Sequence, residues 1–87
     1  MAVVLLPRSL VALFPGTPRR VDATGATVAD VLHDLDARYP GMWDRLCEAG
    51  PVLRAHINVY VAAQPAALET LVPSDATVHV IPAVSGG

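Results

Sequence analysis

The chain has 87 residues and a mass of 9.1 kDa, which limits it to a single domain. Hydrophobic residues make up 53% of it, enough for one core, and the formal net charge is −2. All six basic residues are arginines spread along the chain, whereas nucleic-acid binding requires clustered basic residues, so no nucleic-acid partner is expected.

A single cysteine, Cys47, rules out an intrachain disulfide. The apolar run at 2–6 has no basic region before it and is stopped by Pro7, so it does not resemble a signal peptide. No apolar stretch approaches the roughly 20 residues that span a bilayer. We therefore expect a soluble, cytoplasmic protein that does not act at a membrane.

The N-terminal part of the chain is predicted to form a β-hairpin. Residues 2–6 are continuously apolar, which is typical of a central strand covered on both faces. Residues 7–18 contain three prolines and a glycine and are predicted to be a loop. Residues 19–23 alternate polar and apolar side chains, which indicates a second strand paired with the first.

A helix is predicted after residue 26. Thr27 is a suitable N-cap, and the charge of Asp30 suits the positive end of a helix. One apolar stripe follows at helical spacing: Val28, Val31, Leu32, Leu35 and Tyr39. Pro40 disfavours helical geometry at the residue before it, so the helix should end at Tyr39.

Two elements are predicted in the middle of the chain. Residues 42–48 form a short second helix, with Met42 and Leu46 facing inward, and Ala49-Gly50-Pro51 ends it. Residues 53–61 are predicted to be a strand, since apolar and polar side chains alternate clearly in its second half.

The C-terminal third is less regular until its last strand. Residues 62–76 are weakly patterned and are expected to tuck a short edge strand or turn into the core through Leu68, Leu71 and Val72. Residues 77–81 form the last strand, and Pro82 ends its hydrogen-bonding ladder because proline has no N–H to donate.

The order of elements predicts an α+β fold, with a mixed sheet of four to five strands and one main helix across one face. The strand that follows the helix is expected to lie parallel to an earlier strand. Residues 1–81 make up this domain, and residues 82–87 form a flexible C-terminal tail that ends in Gly-Gly.

The tail Pro82-Ala83-Val84-Ser85-Gly86-Gly87 is the most informative segment of the sequence. Fully extended, it reaches roughly 20 Å. Its two glycines lack Cβ atoms and can thread a narrow channel. The terminal carboxylate is ionised at neutral pH, and it becomes an electrophile only after activation. The alternative interpretation is a frayed end that happens to hold small residues.

Three segments resemble the ThiS/MoaD family of β-grasp, ubiquitin-like sulfur carriers: 27–32 in the helix, 56–61 in the middle strand, and 78–87 in the last strand and tail. Tyr39-Pro40-Gly41 is similar to the family's post-helix turn, whereas 62–67 departs from its Asn-Gly-type turn. The extra segment at 42–50 is more similar to the molybdopterin-type and cysteine-biosynthesis-type carriers.

The resemblance implies a sulfur donor that is not itself an enzyme, although it could serve as the small subunit of a synthase. A ubiquitin-activating-like adenylyltransferase would consume ATP to adenylate Gly87. A sulfurtransferase or other sulfur source would then form a thiocarboxylate that donates sulfur to a partner synthase, and Gly86 would let this group enter the partner's active site. No bound cofactor is implied. The other tail residues would contact partners: Pro82, Ala83, Val84 and Ser85.

Two further functions fit the same sequence. The protein could be a ubiquitin-like modifier joined to lysines of other proteins, or a noncovalent β-grasp binding module. A metal site is not expected, because the three histidines are far apart in sequence, without ligand spacing. Cys47 is expected to be a small core or interface residue, and Trp43 either anchors a partner or caps the core edge.

Overall fold

The computed structural model of the protein describes residues 1–82. Its elements are, in chain order, β1 (Ala2–Leu5), α1 (Arg8–Val11), β2 (Arg20–Ala23), α2 (Val28–Arg38), α3 (Met42–Leu46), β3 (Cys47–Glu48), β4 (Val52–Leu53), β5 (Ile57–Val61), β6 (Gln64–Ala66) and β7 (Thr77–Pro82).

The main sheet has five strands in the spatial order β2-β1-β7-β5-β6, which confirms the predicted mixed sheet. Strands β1 and β7 pair in parallel, and the other three pairs are antiparallel. The expectation of a parallel strand directly after the helix is therefore wrong for β5, which runs antiparallel to its neighbour β7. The reason is the connection 62–76, which reverses the direction of the chain after β5. Strand β7 then lies between β1 and β5, parallel to β1 and antiparallel to β5.

Helix α2 covers one face of the sheet through the predicted stripe. Four of its side chains are 0% exposed: Val28, Val31, Leu32 and Leu35. Burying each such aliphatic side chain stabilises the fold by roughly 2 kcal/mol relative to leaving it in water. At the start of the helix, the N–H of Asp30 donates to the Thr27 Oγ1 at 3.2 Å, so the predicted N-cap is confirmed. The helix ends at Arg38, with Tyr39 as its half-buried C-cap.

The carboxylate of Asp36 attaches α3 to α2. Its Oδ1 accepts the backbone N–H groups of Gly41, at 3.1 Å, and of Trp43, at 2.9 Å. The Trp43 ring stacks on the His33 ring, with centroids 3.9 Å apart and planes inclined by 10°. Trp43 therefore packs at the edge of the core against α2, the second of its two predicted roles.

The predicted loop at 7–18 contains the one-turn helix α1, so that prediction is wrong in part. Pro7 occupies the N-cap with φ −73°, a position where proline's missing N–H does no harm. Leu10 is buried and holds the turn against the core. This long-range contact outweighs the proline content on which the loop prediction depended.

The predicted strand at 53–61 is divided in two. Val52 and Leu53 pair with Glu48 and Cys47 in a separate two-stranded sheet, and only Ile57–Val61 joins the main sheet. The turn between the two pieces is held by Arg54, whose Nε and Nη2 donate to the Asp44 carbonyl at 3.0 and 2.8 Å. The predicted helix at 42–48 accordingly stops at Leu46.

The weakly patterned segment 62–76 contributes the edge strand β6. Leu68 and Val72 are buried as predicted, whereas Leu71 is 72% exposed, so its predicted place in the core is wrong. Ala62 and Ala63 form the two-residue β5–β6 turn with φ values of 50° and 68°. This left-handed region is costly for residues that carry a Cβ atom.

Replacing the turn residues by Ala62→Asn and Ala63→Gly should raise the free energy of unfolding by about 1–2 kcal/mol, since both new residues tolerate positive φ. Urea unfolding of the variant and the parent protein measures the difference. As a control, Ala37→Gly on the exposed side of α2 should lower stability by about 1 kcal/mol. A loss of stability in the turn variant would contradict the left-handed turn.

Thr17 is 5% exposed, and its Oγ1 has no hydrogen-bond partner among the described residues. Thr17→Val keeps the shape of the side chain and removes the unsatisfied hydroxyl, so it should stabilise the protein by about 1 kcal/mol. Thermal unfolding provides the measurement. Thr17→Ser, which keeps the hydroxyl and loses the methyl group, should instead destabilise it. A destabilised valine variant would show that the hydroxyl is bonded.

Candidate functional site

The strand that leads into the tail lies in the middle of the sheet. Strand β7 pairs with β1 on one side and β5 on the other, and its last residue, Pro82, lies opposite Ile57. Pro82 was predicted to belong to the tail, but the structure places it in the sheet. The pairing with β1 stops at His79, so the end of β7 is paired on the β5 side alone, a position at which a proline's missing N–H is tolerated. The remaining predicted site residues lie outside the described range: Ala83, Val84, Ser85, Gly86 and Gly87.

The surroundings of Pro82 form a shallow groove of about 240 Å³. Leu6 and Pro7 contribute to it from the end of β1, and Ile81 contributes from β7. Arg19 lines it as well, and its Nε donates to the Leu6 carbonyl at 3.5 Å. The groove therefore combines an apolar floor with one positive charge.

The face of the sheet opposite α2 is partly exposed. In β7, Val78 and Val80 are buried towards the helix, whereas His79 is half-buried and Ile81 is 44% exposed on the other face. Leu5 from β1 and Tyr60 from β5 flank His79 in register. We call this surface the open face, defined by Leu5, Tyr60, His79 and Ile81.

These residues were predicted to lie on strands but not to share one surface. The alternation in 77–81 was the signal available, because Val78 and Val80 predict one buried side and leave His79 and Ile81 on the other. The sequence does not predict that Leu5 lies beside His79, because this pair joins residues from opposite ends of the chain.

Cys47 lies in the core, as predicted, with 3% of its surface exposed. Burial raises the pKa of its thiol from 9.0 to about 11, and the charge of Arg54 lowers it only in part. The thiol is therefore protonated at neutral pH, and a protonated, buried thiol is a poor nucleophile. The side chain of Cys47 therefore contributes to the packing of the core.

The three histidines are dispersed in the fold. His33 stacks on Trp43, His56 is exposed, and His79 lies on the open face. Within residues 1–82, no three or more His, Cys, Asp or Glu side chains come together in a way that could hold a metal ion. In the same part of the chain, no helix has the length and apolar character needed to cross a membrane.

Comparison with known protein families shows to which family the chain belongs. The model of the ThiS family matches residues 5–87. The chain belongs to the ThiS family. This ThiS-family chain is 32% identical over 78 residues to the sulfur carrier protein CysO of Mycobacterium tuberculosis, a match that covers 83% of this chain and 84% of that protein.

Solved structures confirm the predicted β-grasp, ubiquitin-like fold of this ThiS-family chain. A chain of the Amycolatopsis orientalis BexX/CysO complex superposes with a TM-score of 0.90 at 33% identity, covering 100% of both chains. The small archaeal modifier protein SAMP1 of Haloferax volcanii superposes with a TM-score of 0.77 at 31% identity, covering 99% of this chain and 98% of that one.

The raised pKa of Cys47 should make the folded protein resistant to alkylation. A thiol pKa of about 11 in place of 9.0 leaves about a hundredfold less thiolate at mildly alkaline pH. Iodoacetamide labelling, followed by mass spectrometry, should therefore be at least that much slower in the native protein than in guanidinium. Equal rates in the two states would contradict the buried position.

Proposed function

We propose that this ThiS-family chain is a sulfur carrier whose Gly87 carboxylate is adenylated and then converted to a thiocarboxylate. The observation that carries the proposal is the direct continuation of the central strand β7 into a Gly-Gly ending, in a family whose member CysO is a sulfur carrier protein. The likeness to CysO extends over 83% of the chain.

The proposed chemistry starts from a carboxylate, which is a poor electrophile. A ubiquitin-activating-like adenylyltransferase attaches AMP from ATP to the Gly87 carboxylate and releases pyrophosphate. Sulfide then displaces AMP and leaves the thiocarboxylate. Where the source is a sulfurtransferase persulfide, its outer sulfur displaces AMP to form an acyl disulfide, and a thiol of that enzyme cleaves the disulfide and releases the thiocarboxylate. A partner synthase takes the sulfur, and hydrolysis regenerates the carboxylate.

This chain contributes the substrate atoms and their presentation, and it is proposed not to be an enzyme itself. ATP is consumed by the activating enzyme, and the chain needs no bound cofactor. Gly86 and Gly87 have no Cβ atoms, which suits a narrow channel in the partner. The residues expected to contact that channel are Pro82, Ala83, Val84 and Ser85.

The folded domain supplies a docking surface next to the tail. Ile81 and Leu5 present apolar area on the open face, beside the groove at Pro82. An enzyme that binds residues 83–87 must rest on the surface from which they continue, so the open face is the proposed contact for the adenylyltransferase and for the synthase. Apolar area surrounded by polar residues is typical of such interfaces.

The likeness to CysO supports a cysteine-biosynthesis-type carrier over a molybdopterin-type one, the two types that the sequence resembles. A second function is supported by the likeness to SAMP1, which is a small archaeal modifier protein. In that alternative, Gly87 would be joined to lysines of other proteins. Both functions begin with the same acyl adenylate.

The test of the carrier function is the intact mass of the full chain after incubation with ATP, its cognate adenylyltransferase and sulfide. The mass should rise by the difference between one sulfur and one oxygen atom, and deletion of Gly86 and Gly87 should abolish the change. A mass that stays constant with an active adenylyltransferase would refute the proposal. Gly-Gly remnants on cellular lysines would favour the modifier function instead.

A matched pair of substitutions tests the docking surface. Ile81→Ser, on the open face, should lower kcat/KM for adenylation roughly tenfold, because an apolar contact in an interface is worth about 1–2 kcal/mol. Leu71→Ser removes a side chain that is also exposed but lies where the chain pairs with Thr27 at the start of α2, so it should leave kcat/KM unchanged. Equal effects of the two substitutions would contradict the assignment of the open face.

A further inference from the structure

Three of the six arginines lie on segments next to the end of β7. Arg20 lies opposite Leu5, the residue of β1 that also pairs with His79. Arg19 lines the groove at Pro82 and donates to the Leu6 carbonyl. Arg8 begins α1 directly after Pro7, another residue of that groove. We call these three residues the root cluster: Arg8, Arg19 and Arg20.

Acidic side chains are scarce in this part of the molecule. Residues 1–21 contain the root cluster and no Asp or Glu, and Asp22 is the sole acidic residue in the five strands of the main sheet. Elsewhere, Asp34 forms an ion pair with Arg38, and Glu48 with Arg54. Among residues 1–82, the arginines near the end of β7 therefore outnumber their acidic neighbours, of which Asp22 shares the exposed face of β2 with Arg20, although the whole chain has a net charge of −2.

The arginines of the root cluster are available to bind an acidic group. All three side chains belong to exposed residues, and none of them forms an ion pair with any residue in the range 1–82. Arginine presents five N–H donors in a planar fork, which suits carboxylates. The cluster also adjoins Leu5 and Ile81 of the open face, and such a combination of arginine with apolar area is typical of protein interfaces.

We infer that the root cluster docks an acidic segment of a protein partner. The inference rests on the proposed function in one respect, since the partner is the protein that takes up the chain beyond Pro82. Complementary charge beside the tail orients this partner and accelerates its approach, in a manner that salt weakens. Nucleic acid is the less suitable occupant, because a chain of net charge −2 with three clustered arginines lacks the broad basic surface that phosphate backbones require.

The test is a titration of the ¹⁵N-labelled full chain with hexaglutamate peptide, followed by NMR at low ionic strength. Saturable shifts should appear at the amides of Leu5, Arg19, Arg20 and Ile81, and they should disappear at high salt. Arg20→Glu should weaken binding of the peptide roughly fivefold or more. Arg45→Glu, an equally exposed charge reversal on α3, should leave binding unchanged.

Three results would overturn the inference: shifts that are as large around Arg45 as around Arg20, equal affinities of the Arg20→Glu and parent proteins, or equally tight binding of a hexathymidine oligonucleotide. The last result would assign the cluster to phosphate instead of an acidic peptide. The titration requires neither ATP nor an activating enzyme. A negative titration would therefore leave the carrier function untouched. Failure of the adenylation test would likewise leave the binding of an acidic segment at the root cluster untouched.

Discussion

The pairing of β7 with β1 on one side and β5 on the other is the constraint on which the functional interpretation depends. Two ladders of hydrogen bonds hold β7 as far as His79, and the ladder with β5 continues to Pro82, so the end of the strand has a defined position and direction. Pro82, the last residue of β7, directly precedes residues 83–87. It lines a groove together with Leu6, Pro7 and Arg19. A strand paired on one side along its whole length would be held less firmly.

The division of the sheet into a covered and an open face follows from the size of the chain. A domain of this length buries about 60% of the surface of its unfolded chain, and a single main helix, α2, covers one side. The other side exposes Ile81 and half-exposes Leu5 and His79. Partner proteins can therefore bind at the end of β7 without displacing any part of the core.

Two side-chain types that often carry chemistry are not arranged for it in residues 1–82, because Cys47 is buried and protonated and the three histidines lie apart. The reactive group that we propose is at the end of the chain, and the catalytic groups would come from other proteins. The domain then contributes recognition, by apolar contact on the open face and by charge at the root cluster. In this proposal the folded domain binds the partners and the end of the chain reacts. Successive partners can therefore bind the same surface of the domain.

The amino-acid sequence by itself determined the elements that depend on local chemistry. The apolar stripe and the Thr27 cap predicted α2, and alternation at 57–61 predicted the part of the 53–61 strand that joins the main sheet. The match of residues 5–87 to the ThiS family is consistent with the resemblance found in the same residues. The Gly-Gly ending indicated the proposed chemistry, because the two missing Cβ atoms are visible in the sequence alone.

Only the tertiary structure decided the features that depend on residues distant along the chain. Helix α1 forms because Leu10 reaches the core, and the strand predicted at 53–61 divides because Arg54 holds a turn against Asp44. Three of the six arginines, Arg8, Arg19 and Arg20, lie near the end of β7 once β1 pairs with β2 and β7. Such contacts join residues that local periodicity does not relate, from 10 positions apart for Asp44 and Arg54 to opposite ends of the chain for Leu5 and His79.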